Sequence, residues 1–130
     1  MKEHSIQNAI RNSLVDRGLF FRVNVGQGWT GDSVQKLPDG SVLITNARPF
    51  STGLPKGFSD LFGLVPLTIE PHHVGQQVGV FTAIEVKTQR GRVSEIQGNF
   101  LNAVQHNGGL AGVARSPDDA LKITQGHDHG

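Results

Sequence analysis

The chain of 130 residues has no cysteine, a single tryptophan and almost no excess of charge of either sign. Without cysteine, neither a disulfide framework nor a cysteine zinc site is possible. No apolar run is long enough to span a bilayer. No apolar stretch follows Met1-Lys2-Glu3-His4, so no signal peptide is expected. These absences lead to the expectation of a soluble, intracellular, cytoplasmic protein. The net charge of +1 neither demands nor forbids a nucleic-acid partner. Six histidines could still offer metal ligands. However, His72-His73 and the tail His127-Asp128-His129 sit among glycines and polar residues. A surface turn and a frayed terminus are the expectation there, rather than a structural metal site.

What the chain does have is glycine. Its 17 glycines compare with about nine at the usual frequency. Most of the excess falls in residues 26–63 and 75–112, which predicts long, shaped loops around a small scaffold. The length suits one domain, 1–130, with one ordinary core.

Residues 3–17 read as a helix with Ile6, Ile10 and Leu14 as its apolar stripe and Gly18 as its stop. At about 100° per residue, Glu3 falls on that stripe and faces the protein. The alternative is an acid favoured by the helix dipole. Residues 19–25 read as a strand, and Gly26 to Gly31 as a loop carrying Trp29. Pro38-Asp39-Gly40 predicts a turn between strands Val34–Leu37 and Ser41–Thr45. Residues 47–59 read as irregular. Residues 60–69 and 79–87 read as two strands joined by a polar turn, and so short a connection predicts an antiparallel pair. Ser94 opens a helix with Gln97 at the capping-box position, Ile96, Phe100 and Val104 as the stripe, and Asn107-Gly108-Gly109 as the end. Leu110–Ala114 is a further strand, and Ser116-Pro117 starts a last short helix. The order predicts an α/β or α+β fold, a small mixed sheet flanked by helices.

The stretch with chemical content is Val80 to Lys87. Alternation puts Glu85 and Lys87 on one face, about 7 Å apart along the strand. Both faces are otherwise largely apolar, which predicts a buried central strand. A carboxylate and an ammonium there need compensation, which a simple ion pair or an active site would each supply. Asp60 starts the preceding predicted strand, so an antiparallel pair would bring it beside Glu85. Two carboxylates with the Val86 carbonyl suit Mg²⁺, a cation that takes oxygen ligands. The alternative is that Asp60 caps a turn after Gly57.

Glu3 in the first helix, Gly57-x-Ser59-Asp60, Glu85-x-Lys87 and Gln97 in the next helix, in this order, resemble the virus-type replication-repair nuclease (VRR-NUC) domain of the PD-(D/E)xK superfamily. The resemblance runs from Glu3 to Ala114. It implies a restriction-endonuclease-like core and Mg²⁺ or Mn²⁺ as cofactor. Asp60, Glu85 and the Val86 carbonyl would hold the metal, with Glu3 reaching it directly or through water. Lys87 would orient the attacking water or stabilise developing charge. Gln97 would fix Lys87 or that water, the alternative being a capping role alone. Ser59 stands where the superfamily name has proline. With these three acids as ligands, eight of the 11 acidic side chains remain against 12 basic ones.

Single-domain relatives of this kind, often from phages and bacteria, resemble homodimeric DNA-repair endonucleases that act on branched DNA such as Holliday junctions. The alternatives are a restriction-like, nicking or flap nuclease, and a catalytically silent DNA-binding module. Candidate DNA contacts are Arg22, Lys36, Arg48, Lys56, Ser59, Arg90 and Arg92, although any one such residue is more often a solvated surface group. Trp29 is a candidate for stacking on an unpaired base, or else a core anchor.

Overall fold

The computed structural model describes residues 2–126. Three α-helices are interspersed with short strands: α1 (Glu3–Leu14), β1 (Leu19–Arg22), β2 (Gln27–Thr30), β3 (Ser33–Lys36), β4 (Val42–Thr45), β5 (Arg48–Ser51), β6 (Leu61–Leu64), β7 (Thr82–Val86), α2 (Glu95–His106), β8 (Leu110–Ala114) and α3 (Pro117–Thr124). The fold is mixed α+β, as expected, but the strands form several two-stranded sheets. The chain divides into two compact units. One comprises the residues up to Phe20 together with those from Gly63 onward, and the other is Phe21–Phe62.

In the larger unit, β7 and β8 pair in parallel, with Glu85 opposite Val113 and Val86 opposite Ala114. Parallel neighbours need a crossover connection, and α2 supplies it. Two helices cover opposite faces of this pair. On one face Gln97 of α2 reaches Glu85. On the other, a β-carbon on Gly112 would press on Ile123 of α3, so the glycine lets that helix sit close. The core lies here, in Leu64, Leu101, Val104 and Ala114.

The α2 stripe is rotated from the expected one. Ile96 is 82% exposed and Phe100 39% exposed, while Leu101 and Val104 are buried. Gln97, Leu101 and Val104 follow the i, i+4, i+7 spacing, so Gln97 heads the inward face. The α2 capping box is present, since Ser94 Oγ accepts from Gln97 N and Ser94 N donates to Gln97 Oε1. Ser116 caps α3 with proline in its first turn.

The expected antiparallel pairing of 60–69 with 79–87 does not form as a ladder. The shorter β6 pairs with β1, and β7 pairs with β8. Pro66, without an N–H to donate, stands two residues past the end of β6. Nor is β7 buried on both faces. Phe81, Ala83, Glu85 and Lys87 are partly buried, whereas Val80, Ile84 and Val86 are exposed. On this face Ile123 of α3 lies over Gly112 of β8. Likewise α1 buries no residue, and Glu3 is exposed rather than turned inward.

The smaller unit consists of paired strands. β3 and β4 form the expected hairpin. Asp39 Oδ1 accepts from Ser41 N and Oγ, which lowers its carboxyl pKa, and Gly40 takes a φ of 90° that favours glycine. The stretches expected to be a loop and irregular pair instead, as β2 with β5, Trp29 lying opposite Pro49. In the larger unit, His72 and His73 lie in a single 3-10 turn, Pro71–His73, with His72 exposed and His73 half-buried and accepting from Glu70 N through Nδ1, as suits a surface turn. The tail histidines, His127 and His129, lie outside the described residues.

Candidate active site

The site is built at the end of β7. Glu85 projects toward α2, where Gln97 Nε2 donates to its Oε1 at 2.8 Å. Lys87, two residues on and on the same face, places Nζ 3.5 Å from that same oxygen. Side-chain exposures of 21% for Lys87 and 30% for Glu85 leave both partly solvated. A pair this wet contributes on the order of 1 kcal/mol or less to stability. Stability is therefore a weak reason for placing these three groups together. Gln97 serves as both cap partner and holder of Glu85, through different atoms: Oε1 takes the Ser94 N–H and Nε2 gives to the carboxylate. Its partner in the site is Glu85, rather than Lys87 as one reading of the family pattern had it.

The backbone here is also informative. Lys87 N donates to Ala114 O at 3.1 Å, toward β8. Its peptide is trans, so the Val86 carbonyl points the opposite way, off the β8 side of the strand. Glu85 Oε2 accepts no hydrogen bond among the described residues. One carboxylate oxygen and one backbone carbonyl at a strand end are hard oxygen donors, which fit Mg²⁺ or Mn²⁺. No three histidine, aspartate or glutamate side chains gather among the described residues. A cation held at Glu85 and Val86 would therefore complete its shell largely with water, as Mg²⁺ usually does.

Asp60 belongs to the smaller unit. Its carbonyl accepts from Val23 N at 3.1 Å, and its flanking residues Phe58 and Phe62 pack edge to face, with ring centroids 5.5 Å apart. The residue itself stays exposed. Glu3, at the first turn of α1, is exposed as well.

Among the basic candidates, Arg22, Lys36, Lys56, Arg90 and Arg92 are exposed and hold no ion pair among the described residues, and Ser59 is exposed too. Arg48 is engaged, 2.9 Å from Asp32, whose pKa is lowered by that guanidinium and by Asn46. Trp29 is 64% exposed, which removes its alternative role as a core anchor. Arg115, immediately after β8, carries no motif signal. Only the parallel register of β7 and β8 brings it level with Lys87.

A mixed α+β chain that gathers Glu85, Lys87 and Gln97 at a strand end has the make-up of a PD-(D/E)xK-type nuclease. The VRR-NUC domain family model matches residues 1–118, and the chain belongs to that family of nucleases. No curated protein and no solved structure matches it.

Proposed function

We propose that the chain hydrolyses phosphodiester bonds in branched DNA, Holliday junctions among them, as a cytoplasmic homodimer acting in DNA repair. The observation that carries this reading is Glu85, pinned by Gln97 beside Lys87, in a member of a nuclease family. Glu85 and the Val86 carbonyl would hold Mg²⁺ or Mn²⁺, while the ligand roles of Asp60 and of Glu3, the latter directly or through water, rest on the family pattern alone. When bound, such a cation polarises the phosphate and acidifies a water molecule. Gln97 occupies Glu85 Oε1 and so fixes the carboxylate plane, leaving Oε2 for other partners. Lys87 supplies a positive charge where the phosphate gains negative charge, in a partly desolvated setting that strengthens the effect. The exposed Trp29 offers a stacking face to an unpaired base at a branch point, and Arg22, Lys36, Lys56, Arg90 and Arg92 offer phosphate contacts.

Support for the homodimer comes from exposed apolar surface. Val65, Leu67, Ile69, Val78 and Val80 are exposed and line one groove of about 1080 Å³ within the larger unit, a surface that a second copy would cover. A two-fold dimer supplies two sites for two symmetric nicks.

The test compares a synthetic four-way junction with linear duplex of matched sequence, in Mg²⁺, Mn²⁺, Ca²⁺ or chelator. Junction cleavage with Mg²⁺ or Mn²⁺, binding without cutting in Ca²⁺, and silence in chelator are expected. Full cleavage in chelator overturns the reading. Cutting of linear duplex alone makes the chain a restriction-like enzyme, and binding without cutting in every metal makes it a DNA-binding module.

A further inference from the structure

We propose that Arg115 is a positioning residue for Lys87, acting by holding closed the turn that follows it. This rests on the assignment of Lys87 under the proposed function. The guanidinium Nη1 donates to the carbonyls of Thr88 and Gly91, the latter at 2.7 Å, with the Gln89 carbonyl at 3.4 Å. Nη1 carries two hydrogens, so Thr88 and Gly91 take one each and Gln89 shares. Three carbonyl oxygens of one short turn converge on a single nitrogen. Their negative ends repel unless a positive charge lies between them, and Arg115 supplies it.

Arg115 is itself held in place. Its backbone N–H donates to Asp119 Oδ2 at 2.9 Å, and Asp119 N donates to the α3 cap Ser116 at 3.1 Å. Gln89 Nε2 reaches back to the Arg115 carbonyl at 3.4 Å. Two successive residues at the end of β8 thus pin both flanks of Lys87. Ala114 accepts the N–H of Lys87 itself, and Arg115 grips the carbonyl of the next residue. Nη1 is taken up by backbone carbonyls and so serves the turn, and whether the other guanidinium nitrogens also meet a phosphate is what the salt dependence of DNA binding reads. Arg115 therefore differs from Arg90, which lies exposed within that turn, and from Arg92 just beyond it.

The experiment compares Arg115→Ala and Arg115→Lys with the wild-type chain by junction cleavage, DNA binding at several salt concentrations, thermal melting and amide hydrogen exchange. Arg115→Ala is expected to lower kcat about tenfold or more with KM changed less than about threefold. The salt dependence of DNA binding stays unchanged, because no phosphate contact is lost. The Gly91 amide, which bonds Thr88 O at 3.1 Å, exchanges faster, while residues 82–86 stay protected. Arg115→Lys, keeping a charged donor, gives an intermediate kcat. An unchanged kcat and unchanged exchange at Gly91 in Arg115→Ala overturn the proposal. So does a raised KM with a salt slope shallower by about one, which marks a direct phosphate contact. If Arg115→Ala does not fold, Arg115→Lys decides by the same readings, a wild-type kcat counting against. Exchange needs no cleavage. A wild-type chain that never cuts DNA defeats the nuclease reading, while the Gly91 amide still decides whether Arg115 holds the turn.

Discussion

Gln97 and Ser94 exchange two hydrogen bonds at the start of α2, yet only Gln97 also touches Glu85. That difference separates stability from catalysis. Ser94→Ala should cost about 1 kcal/mol of stability with cleavage intact, because it loses a cap and nothing else. Gln97→Ala should show a similar stability loss, with cleavage falling about 10–100-fold as the carboxylate loses its orienting partner. Melting curves paired with junction cleavage measure both, and equal activity in the two variants would reduce Gln97 to a cap. Asp60→Ala, Glu85→Ala and Lys87→Ala should each abolish most cleavage in a folded protein, checked by circular dichroism. In the carboxylate variants DNA binding survives or tightens, since the phosphate loses a repulsive neighbour. Wild-type cleavage by Glu85→Ala would move the site elsewhere. Glu3→Gln, at an exposed position, should slow cleavage without moving the melting temperature.

Among the elements, those set by local chemistry were legible in the sequence. Ser94 with Gln97, Ser116 with Pro117, and Pro38-Asp39-Gly40 each specify a cap or a turn within four residues. Apart from the β3–β4 hairpin, strand partners were not legible, because they depend on residues far apart in the chain. One such contact is testable at Gly63 of β6. A β-carbon there would overlap the Leu19 carbonyl of β1, so Gly63→Ala should destabilise the protein by about 1–3 kcal/mol. A melting temperature unchanged by this substitution would mean that the two strands are free to separate. The smaller unit gives a pH prediction. Asp32 and Asp39 have pKa values lowered from 3.8, the first chiefly by Arg48 and the second by Ser41. A carboxylate more acidic in the folded than in the unfolded state stabilises above its unfolded pKa, and that contribution is lost as pH falls through the folded value. The melting temperature should therefore decline as pH drops below 3.8, and the decline should be flatter in the Asp32→Asn/Asp39→Asn double variant.

For the whole molecule, the open question is what covers its exposed apolar surface. Val65, Leu67, Ile69, Val80 and Val86 are between 42% and 76% exposed, while the buried apolar core among the described residues is limited to four side chains. A second copy would remove this surface from water, at about 25 cal/mol for each square ångström buried. Light scattering at micromolar concentration should give the mass of a dimer, and charged substitutions at Leu67 and Val80 should shift it toward the monomer. A clean monomer that nicks flaps and leaves junctions uncut would favour the flap-nuclease alternative. With Trp29 exposed on β2, Trp29→Ala should weaken binding to junctions more than to duplex, as loss of a stacking face for unpaired bases requires.

The sequence by itself determined the family, the helix caps, the β3–β4 turn and the shared face of Glu85 and Lys87. Each of these is carried by residue order or by alternation along a strand, and needs no knowledge of distant neighbours. The tertiary structure alone decided which face of α2 turns inward, and so gave Gln97 to Glu85. It also decided that β7 pairs with β8 in parallel, and this brings Arg115 to the turn after Lys87. An apolar stripe only restricts a helix to a broad arc. The rotation within that arc, and the partner chosen by a strand, depend on how side chains distant in sequence fill the space between them.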